Sequence, residues 1–169
     1  GSIGSWTALA LSKLGCSNVT VMDGDTIEEH NAGSQVYKAS DSGEQKVSAL
    51  VDKLNILTDQ RITDVPEHFN FASPTHLEGL KNYAIVIAAV DNITVRAKLY
   101  QLLKGTAVFY IDARMAGNAL EIYTMNGKDE NDHKLYEQTL FAEEDTLPVP
   151  CSERSVVYNV FIVGGLITD

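Results

Sequence analysis

Along the chain the spacing of apolar residues switches repeatedly between strand-like runs and helical periodicity. Ser5 is the expected N-cap of a first helix running through Leu14, with Trp6, Leu9, Ala10 and Leu14 at or near its buried face and Gly15 as its stop. Residues 18–23 (NVTVMD) predict a strand that ends in an acid. A polar stretch, 24–40, follows. Asp41 is then the expected cap of a helix reaching Leu57, in which Val47, Leu50, Val51 and Leu54 recur at helical spacing. Residues 60–65 predict a weak strand and 74–80 a short helix. Residues 83–89 (YAIVIAA) are a continuous apolar run, the pattern of a parallel strand buried on both faces, and it ends at Asp91-Asn92. A helix over 92–104 turns Val95, Leu99, Leu102 and Leu103 inward. Residues 107–113 and 120–125 predict strands, with Asn118 in the turn after Gly117. Residues 126–150 are polar, acidic and without clear period, so they predict a long loop. Residues 152–167 predict an apolar helix.

This alternation predicts an α/β protein. The expected architecture is a Rossmann-like doubly wound, mostly parallel sheet with helices on both faces and additional antiparallel strands near the C-terminal half. In such sheets ligands bind at the carboxyl ends of strands, where Asp23 and Asp91 fall. The length of 169 residues predicts one domain covering 1–169. Both ends of the sequence look cut: it opens inside a glycine motif and stops inside an apolar helical pattern.

Composition narrows the function classes. The 44% hydrophobic content supports a sizeable core, and 21% charged residues argue against disorder. Thirteen Lys and Arg among 23 acids give a net charge of −10, with no clustered cations to displace counterions from nucleic-acid phosphates. No apolar run approaches the ~20 residues of a membrane span. Two distant cysteines, Cys16 and Cys151, are too few for a disulfide framework and fit a reducing cytoplasm. Cys16, beside Gly15 at a helix end, reads as structural. His30 and His133 have no ligand-like spacing.

The candidate chemistry starts at Gly1-x-x-Gly4. It looks like the second half of a GxGxxG loop leading into a helix, where glycines admit phosphate oxygens and the helix terminus offers unpaired N–H groups. Asp23 stands nineteen residues after Gly4, the position of an acid that hydrogen-bonds ribose hydroxyls. ATP and NAD both contain that ribose, so these two features leave both nucleotides open.

Taken in order, GSIGS (1–5), DGDTIEEHNAGSQ (23–35), GEQK (43–46) and AAVDNITVR (88–96) resemble the ThiF/MoeB/HesA family, which includes the adenylation domains of ubiquitin-activating enzymes. The family pattern runs GxGGxGS, DxDxVxxxNxxRQ, GxxK, then a strand ending in DN with an Arg soon after. The resemblance covers nearly all of residues 1–169, as a single ThiF-type adenylation domain. It implies an ATP-dependent adenylyltransferase that uses Mg²⁺. Gly1 and Gly4 would approach the phosphates. Asp23 would bind the ribose, and Asp25, Asn31 and Gln35 would line the nucleotide pocket. Lys46 would reach the phosphates, and Asp91, beside Asn92, would hold the metal ion. The implied partner is the C-terminal tail of a ubiquitin-like or sulfur-carrier protein, or a short peptide, and the implied assembly is a homodimer. Cys151, between a proline-rich loop and the last helix, matches the cysteine that in some members accepts the activated acyl group. Arg114-Met115-Ala116-Gly117 resembles the family turn beside the threaded tail.

The chain departs from the pattern at Ser34, where the family commonly has an arginine that helps hold phosphate. The paired CxxC motifs of the family's usual zinc site are not among these residues. Two other readings stand beside the adenylating enzyme. An NAD-dependent oxidoreductase accounts for the glycine loop and Asp23 but leaves Lys46 and Asp91-Asn92 without a role. A non-catalytic half of a heterodimeric activating enzyme accounts for Ser34 but has no need of Asp23, Lys46 and Asp91 together. Taken alone, Lys46 would be a solvated lysine, Asp91 the cap of the helix behind it, and Arg96 a surface ion-pair partner.

Overall fold

The computed structural model describes residues 1–16, 18–116, 119–141 and 157–168. They divide into two compact units. The first holds Gly1–Phe69 together with the last helix; the second begins at Asn70.

The first unit opens with α1, Ser2–Lys13, whose N-cap is Gly1. The expected cap at Ser5 is therefore four residues late. Ser5 lies inside the helix, 2% exposed, and its hydroxyl donates to the Ser2 carbonyl. A serine mid-helix can satisfy itself this way, which removes its need to cap. The buried face is Ile3, Ser5, Thr7, Ala8 and Ser12, whereas Leu14 is 62% exposed. Small side chains line that face because a second helix approaches closely. This is α6, Val157–Thr168, whose buried Gly164 sits where an added Cβ would lie 3.5 Å from the Trp6 carbonyl. Trp6 and Phe161 meet edge to face beside it, with centroids 4.5 Å apart.

After α1 come β1 (Val19–Met22), α2 (Lys46–Leu57) and β2 (Ile62–Val65). β1 and β2 pair in parallel, Val19 opposite Ile62 and Met22 opposite Val65, so α2 is the crossover helix that parallel strands require. Val47, Leu50 and Leu54 of α2 are buried as their spacing predicted. Leu50 and Leu54 join Ala8, Ile27, Tyr37, Ala49 and Ile62 in one apolar cluster. The N-cap of α2 is Gln45, not Asp41. Asp41 instead closes a short 3₁₀ turn, accepting the Lys38 N–H at 2.7 Å and pairing with Lys53 at 2.7 Å.

The second unit runs α3 (Pro74–Leu80), β3 (Ile85–Ala88), α4 (Ile93–Leu103), β4 (Phe109–Ala116), β5 (Ala119–Asn126) and α5 (Glu130–Glu137). β3 and β4 are parallel across α4, and β5 folds back antiparallel on β4. The chain is thus α/β, with a two-stranded parallel sheet and a three-stranded mixed sheet among its described residues. β3 is an edge strand of its sheet, and Ile85 is 54% exposed, so the burial on both faces expected from its apolar run is not found.

α5 falls in the stretch predicted to be loop. Asp129 caps it, accepting the N–H groups of Asn131 and Asp132, and its inward side chains are His133 and Tyr136. His133 Nε2 donates to the Gly127 carbonyl at 2.9 Å and so ties the helix to the end of the β5 hairpin. Gly127 itself is enclosed by the carbonyl oxygens of Thr106, Leu103 and Val108, at 2.7, 2.8 and 2.9 Å from where a Cβ would stand. None of the three can move without disturbing the α4–β4 connection. Gly127→Ala is expected to cost about 1–3 kcal/mol as overpacking. The check is the urea midpoint, which should fall with the slope of the transition unchanged; an unshifted midpoint would show that the turn relaxes freely.

Candidate functional site

Parallel pairing brings the carboxyl ends of β1 and β2 together, and the first group of predicted site residues gathers there. Asp23 directly follows β1. Its Oδ1 accepts the Asp25 N–H at 2.9 Å, and its Oδ2 lies 3.3 Å from the nitrogen of Gly1, the N-cap of α1. Gly1 and Asp23 are therefore in direct contact, while Gly4 lies within the first turn of α1. Between the two acids, Gly24 is obligatory for space. A Cβ there would stand 2.6 Å from the His68 ring and 2.7 Å from the His68 backbone nitrogen.

Residues 24–45 form a loop closed on itself. Ile27 N–H donates to the Glu44 carbonyl, Gly43 N–H to the Ile27 carbonyl, and Thr26 bridges Gln45. Asn31 organises this loop from within. It is 5% exposed, its side-chain oxygen accepts the Glu28 N–H at 2.9 Å, and its carbonyl accepts the N–H groups of Ser34 and Gln35. Part of the side chain expected to line a nucleotide pocket is thus already engaged by backbone. Gln35 keeps a buried side-chain oxygen without a hydrogen-bond partner among the described residues.

Lys46 is the first residue of α2 and is 9% exposed, not the solvated lysine that a lone lysine suggests. A cation at a helix N-terminus opposes the helix dipole, so it needs an anion nearby. Asp25 supplies it, with its Oδ2 2.6 Å from the Lys46 ammonium. That hydrogen bond holds the Asp25 carboxyl below the usual carboxylate range. Tyr37 donates to the Lys46 carbonyl at 3.0 Å, and burial, then the nearby Asp23 charge, push its hydroxyl upward.

His68, three residues past β2, was not singled out by the sequence. Its Nε2 stands 3.6 Å from Asp25 Oδ1, and one ligand atom each from Asp23, Asp25 and His68 lie within 4.8 Å of one another. The cue was positional: a polar residue just beyond the carboxyl end of the second parallel strand. Ser34 is 1% exposed and engaged on both sides. Its hydroxyl lies 2.9 Å from that of Ser2, and its carbonyl accepts the Trp6 indole N–H at 2.9 Å.

In the second unit, Asp91 follows β3 and is exposed, with no ion pair or hydrogen bond among the described residues. Asn92, not Asp91, caps α4, its side-chain oxygen accepting the Val95 N–H at 2.9 Å. Both oxygens of Asp91 are therefore available, which suits a hard divalent ion that keeps several waters. Arg96 is not a surface residue. It is 6% exposed and donates to the Val90 carbonyl, to Asp112 Oδ1 and, at 2.9 Å, to the Ala113 carbonyl. Asp112 is fully buried, and its other oxygen accepts Arg114 Nε and the Tyr136 hydroxyl, each at 2.8 Å. Burial, then the Asp112 charge, push the Tyr136 hydroxyl up to about 12, so it remains a donor. Cys151 and Gly117 lie outside the described residues.

Two βαβ units that carry acids at the carboxyl ends of their first strands define the class: an α/β protein built to present polar side chains at strand ends. The ThiF family model matches residues 1–168, and the chain belongs to the ThiF family. It is 30% identical over 134 residues to the adenylyltransferase and sulfurtransferase MOCS3 of Aedes aegypti, covering 75% of this chain and 30% of that protein. It is 27% identical over 120 residues to the tRNA threonylcarbamoyladenosine dehydratase of Haemophilus influenzae, covering 69% of this chain and 45% of that protein. Its fold is shared with Escherichia coli MccB solved with ATP, at a TM-score of 0.71 and 19% identity, covering 99% of this chain and 51% of that one. MccB solved with AMPCPP and MccA gives a TM-score of 0.74 at 18% identity. The chain thus spans a third to a half of the length of these relatives. No helix among the described residues is long and apolar enough to cross a membrane.

The Lys46–Asp25 pair makes a direct prediction. A carboxylate whose folded pKa is depressed adds stability above its ordinary pKa, and that stability fades as pH falls through the depressed value. Asp25 is half exposed, so the contribution is small. In Lys46→Met the Asp25 titration, followed by carboxyl ¹³C NMR, should move up toward the usual range. An unmoved titration would mean that the pair does not form in solution.

Proposed function

We propose that this chain is the nucleotide-binding core of an ATP-dependent adenylyltransferase. Its substrate is the C-terminal carboxylate of a ubiquitin-like or sulfur-carrier protein, or of a peptide, activated as an acyl-adenylate. The observation that carries the reading is the cluster at the end of β1: a ribose-class acid, Asp23, in contact with the start of α1, beside a buried Lys46 held by Asp25. The dehydrogenase reading leaves this lysine without a role. The reading extends to a Rossmann-like, doubly wound sheet over a single adenylation domain, working as a cytoplasmic homodimer.

The chemistry is a displacement at phosphorus. A carboxylate oxygen of the substrate attacks the α-phosphorus of ATP, a new P–O bond forms, and the bond to the bridging oxygen breaks to release pyrophosphate. The nucleophile belongs to the substrate, so the protein's work is orientation and charge stabilisation. Asp23 accepts hydrogen bonds from ribose hydroxyls. Gly1 and Gly4 let the phosphates approach the start of α1. Asp25, Asn31 and Gln35 shape the nucleotide pocket. Lys46 stabilises the charge that builds on the phosphates. Asp91, beside Asn92, is the ligand for Mg²⁺, which when bound neutralises phosphate oxygens. Cys151 then takes the acyl group as a thioester, with AMP as the leaving group.

The MOCS3 relatives, named as adenylyltransferases and sulfurtransferases, support a sulfur-carrier route, and MccB with MccA supports a peptide route. One observation favours a second reading, a non-catalytic half of a heterodimer. Position 34, an arginine in the family pattern, is here a buried serine bonded to Ser2.

Calorimetry on the protein with ATP·Mg²⁺ and with NAD separates the readings. Saturable ATP binding that is lost in Asp23→Ala is the expected result. Binding of NAD without ATP would overturn the proposal, and binding of neither would favour the non-catalytic half. For the later step, Cys151→Ala should abolish a hydroxylamine-sensitive acyl-enzyme while ATP–pyrophosphate exchange with an activated partner persists. If exchange disappears with it, the cysteine does not have this role.

A further inference from the structure

The geometry points to Arg96 as the positioning residue for the Asp91 carboxylate, acting through the backbone at Val90; this rests on Asp91 being the Mg²⁺ ligand. The side chain leaves α4 one turn after Asn92 and runs back beneath the strand ends. One guanidinium nitrogen donates to the Val90 carbonyl, immediately before Asp91. The other donates to Asp112 Oδ1 and to the Ala113 carbonyl, both on β4. A single planar cation thus fixes the exit of β3 to the neighbouring strand. On the far side of Asp91, the Asn92 side chain fixes the start of α4. The residue between these two anchors is the one whose carboxylate is exposed and, among the described residues, unpaired.

This design separates two tasks. Asp91 is too exposed to be held by packing, and tying its oxygens to protein donors would remove them from a ligand. Its backbone is held from behind instead, by a cation that is itself 6% exposed and locked to a fully buried carboxylate. Asp112 is in turn held by Arg114 Nε and the Tyr136 hydroxyl, and Arg114 donates to the Thr139 carbonyl at 2.7 Å. Arginine is required because only a planar fork reaches Val90 and Asp112 together. Lysine keeps the charge that Asp112 needs but has one nitrogen to place.

The test compares the wild type with Arg96→Lys and Arg96→Gln, measuring ATP affinity by calorimetry with and without Mg²⁺. Orienting residues behind a metal ligand typically change metal affinity by about 10–100-fold. The expected result is that the Mg²⁺-dependent tightening of ATP binding falls about tenfold or more in Arg96→Lys, while metal-free ATP affinity is unchanged. A merely structural defect would weaken both. A folded Arg96→Lys with the full Mg²⁺ effect overturns the proposal, and the lysine variant alone decides the matter if Arg96→Gln does not fold. Asp91→Asn separates this failure from failure of the underlying assignment. If that variant keeps the full Mg²⁺ effect, Asp91 is not the ligand; if it loses the effect while Arg96→Lys keeps it, only the positioning role falls.

Discussion

The buried Asp112 carboxylate constrains the whole second unit. A carboxylate with no solvent contact is tolerated only when several donors close on it, and removing one partner of such a pair costs about 3–5 kcal/mol. Here the donors come from three separate elements: Arg96 from α4, Arg114 from β4 itself and Tyr136 from α5. Once Asp112 is placed on β4, the rotation of α4 and the docking of α5 are determined by where those donors must reach. Aromatic packing follows the same lines. The Arg114 guanidinium lies 4.6 Å from the Tyr123 ring centroid, and Tyr136 meets Tyr110 edge to face. The polar network specifies the arrangement, and the rings exclude water from it.

The first unit solves the converse problem, a largely buried cation. Lys46 begins α2, where the helix dipole is unfavourable to it, and Asp25 offsets that cost from across the loop. Asp25 is carried by the turn that Asp23 organises through its own oxygen, and Gly24 lets that turn pass under His68. Asp23, Asp25 and Lys46 are therefore one mechanical assembly rather than three motif positions. This explains why the DGD and GEQK segments, distant in sequence, belong together: the loop closes on itself through Ile27, Gly43, Glu44 and Gln45.

Much of this was legible in the sequence, and the misses have physical causes. The crossover helix α2 and the strand β1 declared themselves because their apolar residues repeat at the period of their own geometry, whereas β2 gave only a weak strand signal. Helix starts were misread because serine and aspartate advertise caps wherever they occur, while Ser5 bonds back within its own helix and Asp41 serves a 3₁₀ turn. α5 was missed because its inward face is His133 and Tyr136, which carry no hydrophobic period. Its start was nevertheless written in the Asp129 cap. The order of motif residues pointed to a nucleotide site, and Asp23, Asp25 and Lys46 do meet. The arrangement behind Asp91 was not legible, because a lone Asp inside FYIDARMA and an Arg on a helix face give no sign, one at a time, that they bury together.

Ser34 bears on how the first unit could serve phosphates. Its side chain is enclosed, bonded to Ser2 in the first turn of α1, with Trp6 gripping its carbonyl. An arginine there would have to displace the hydroxyl pair and find room for a guanidinium, so the loss of the family's cation is built into the packing rather than left as a vacant position. Under the proposed adenylation chemistry, charge stabilisation would then rest on Lys46. That ammonium is held by Asp25, and an incoming phosphate would have to compete for it.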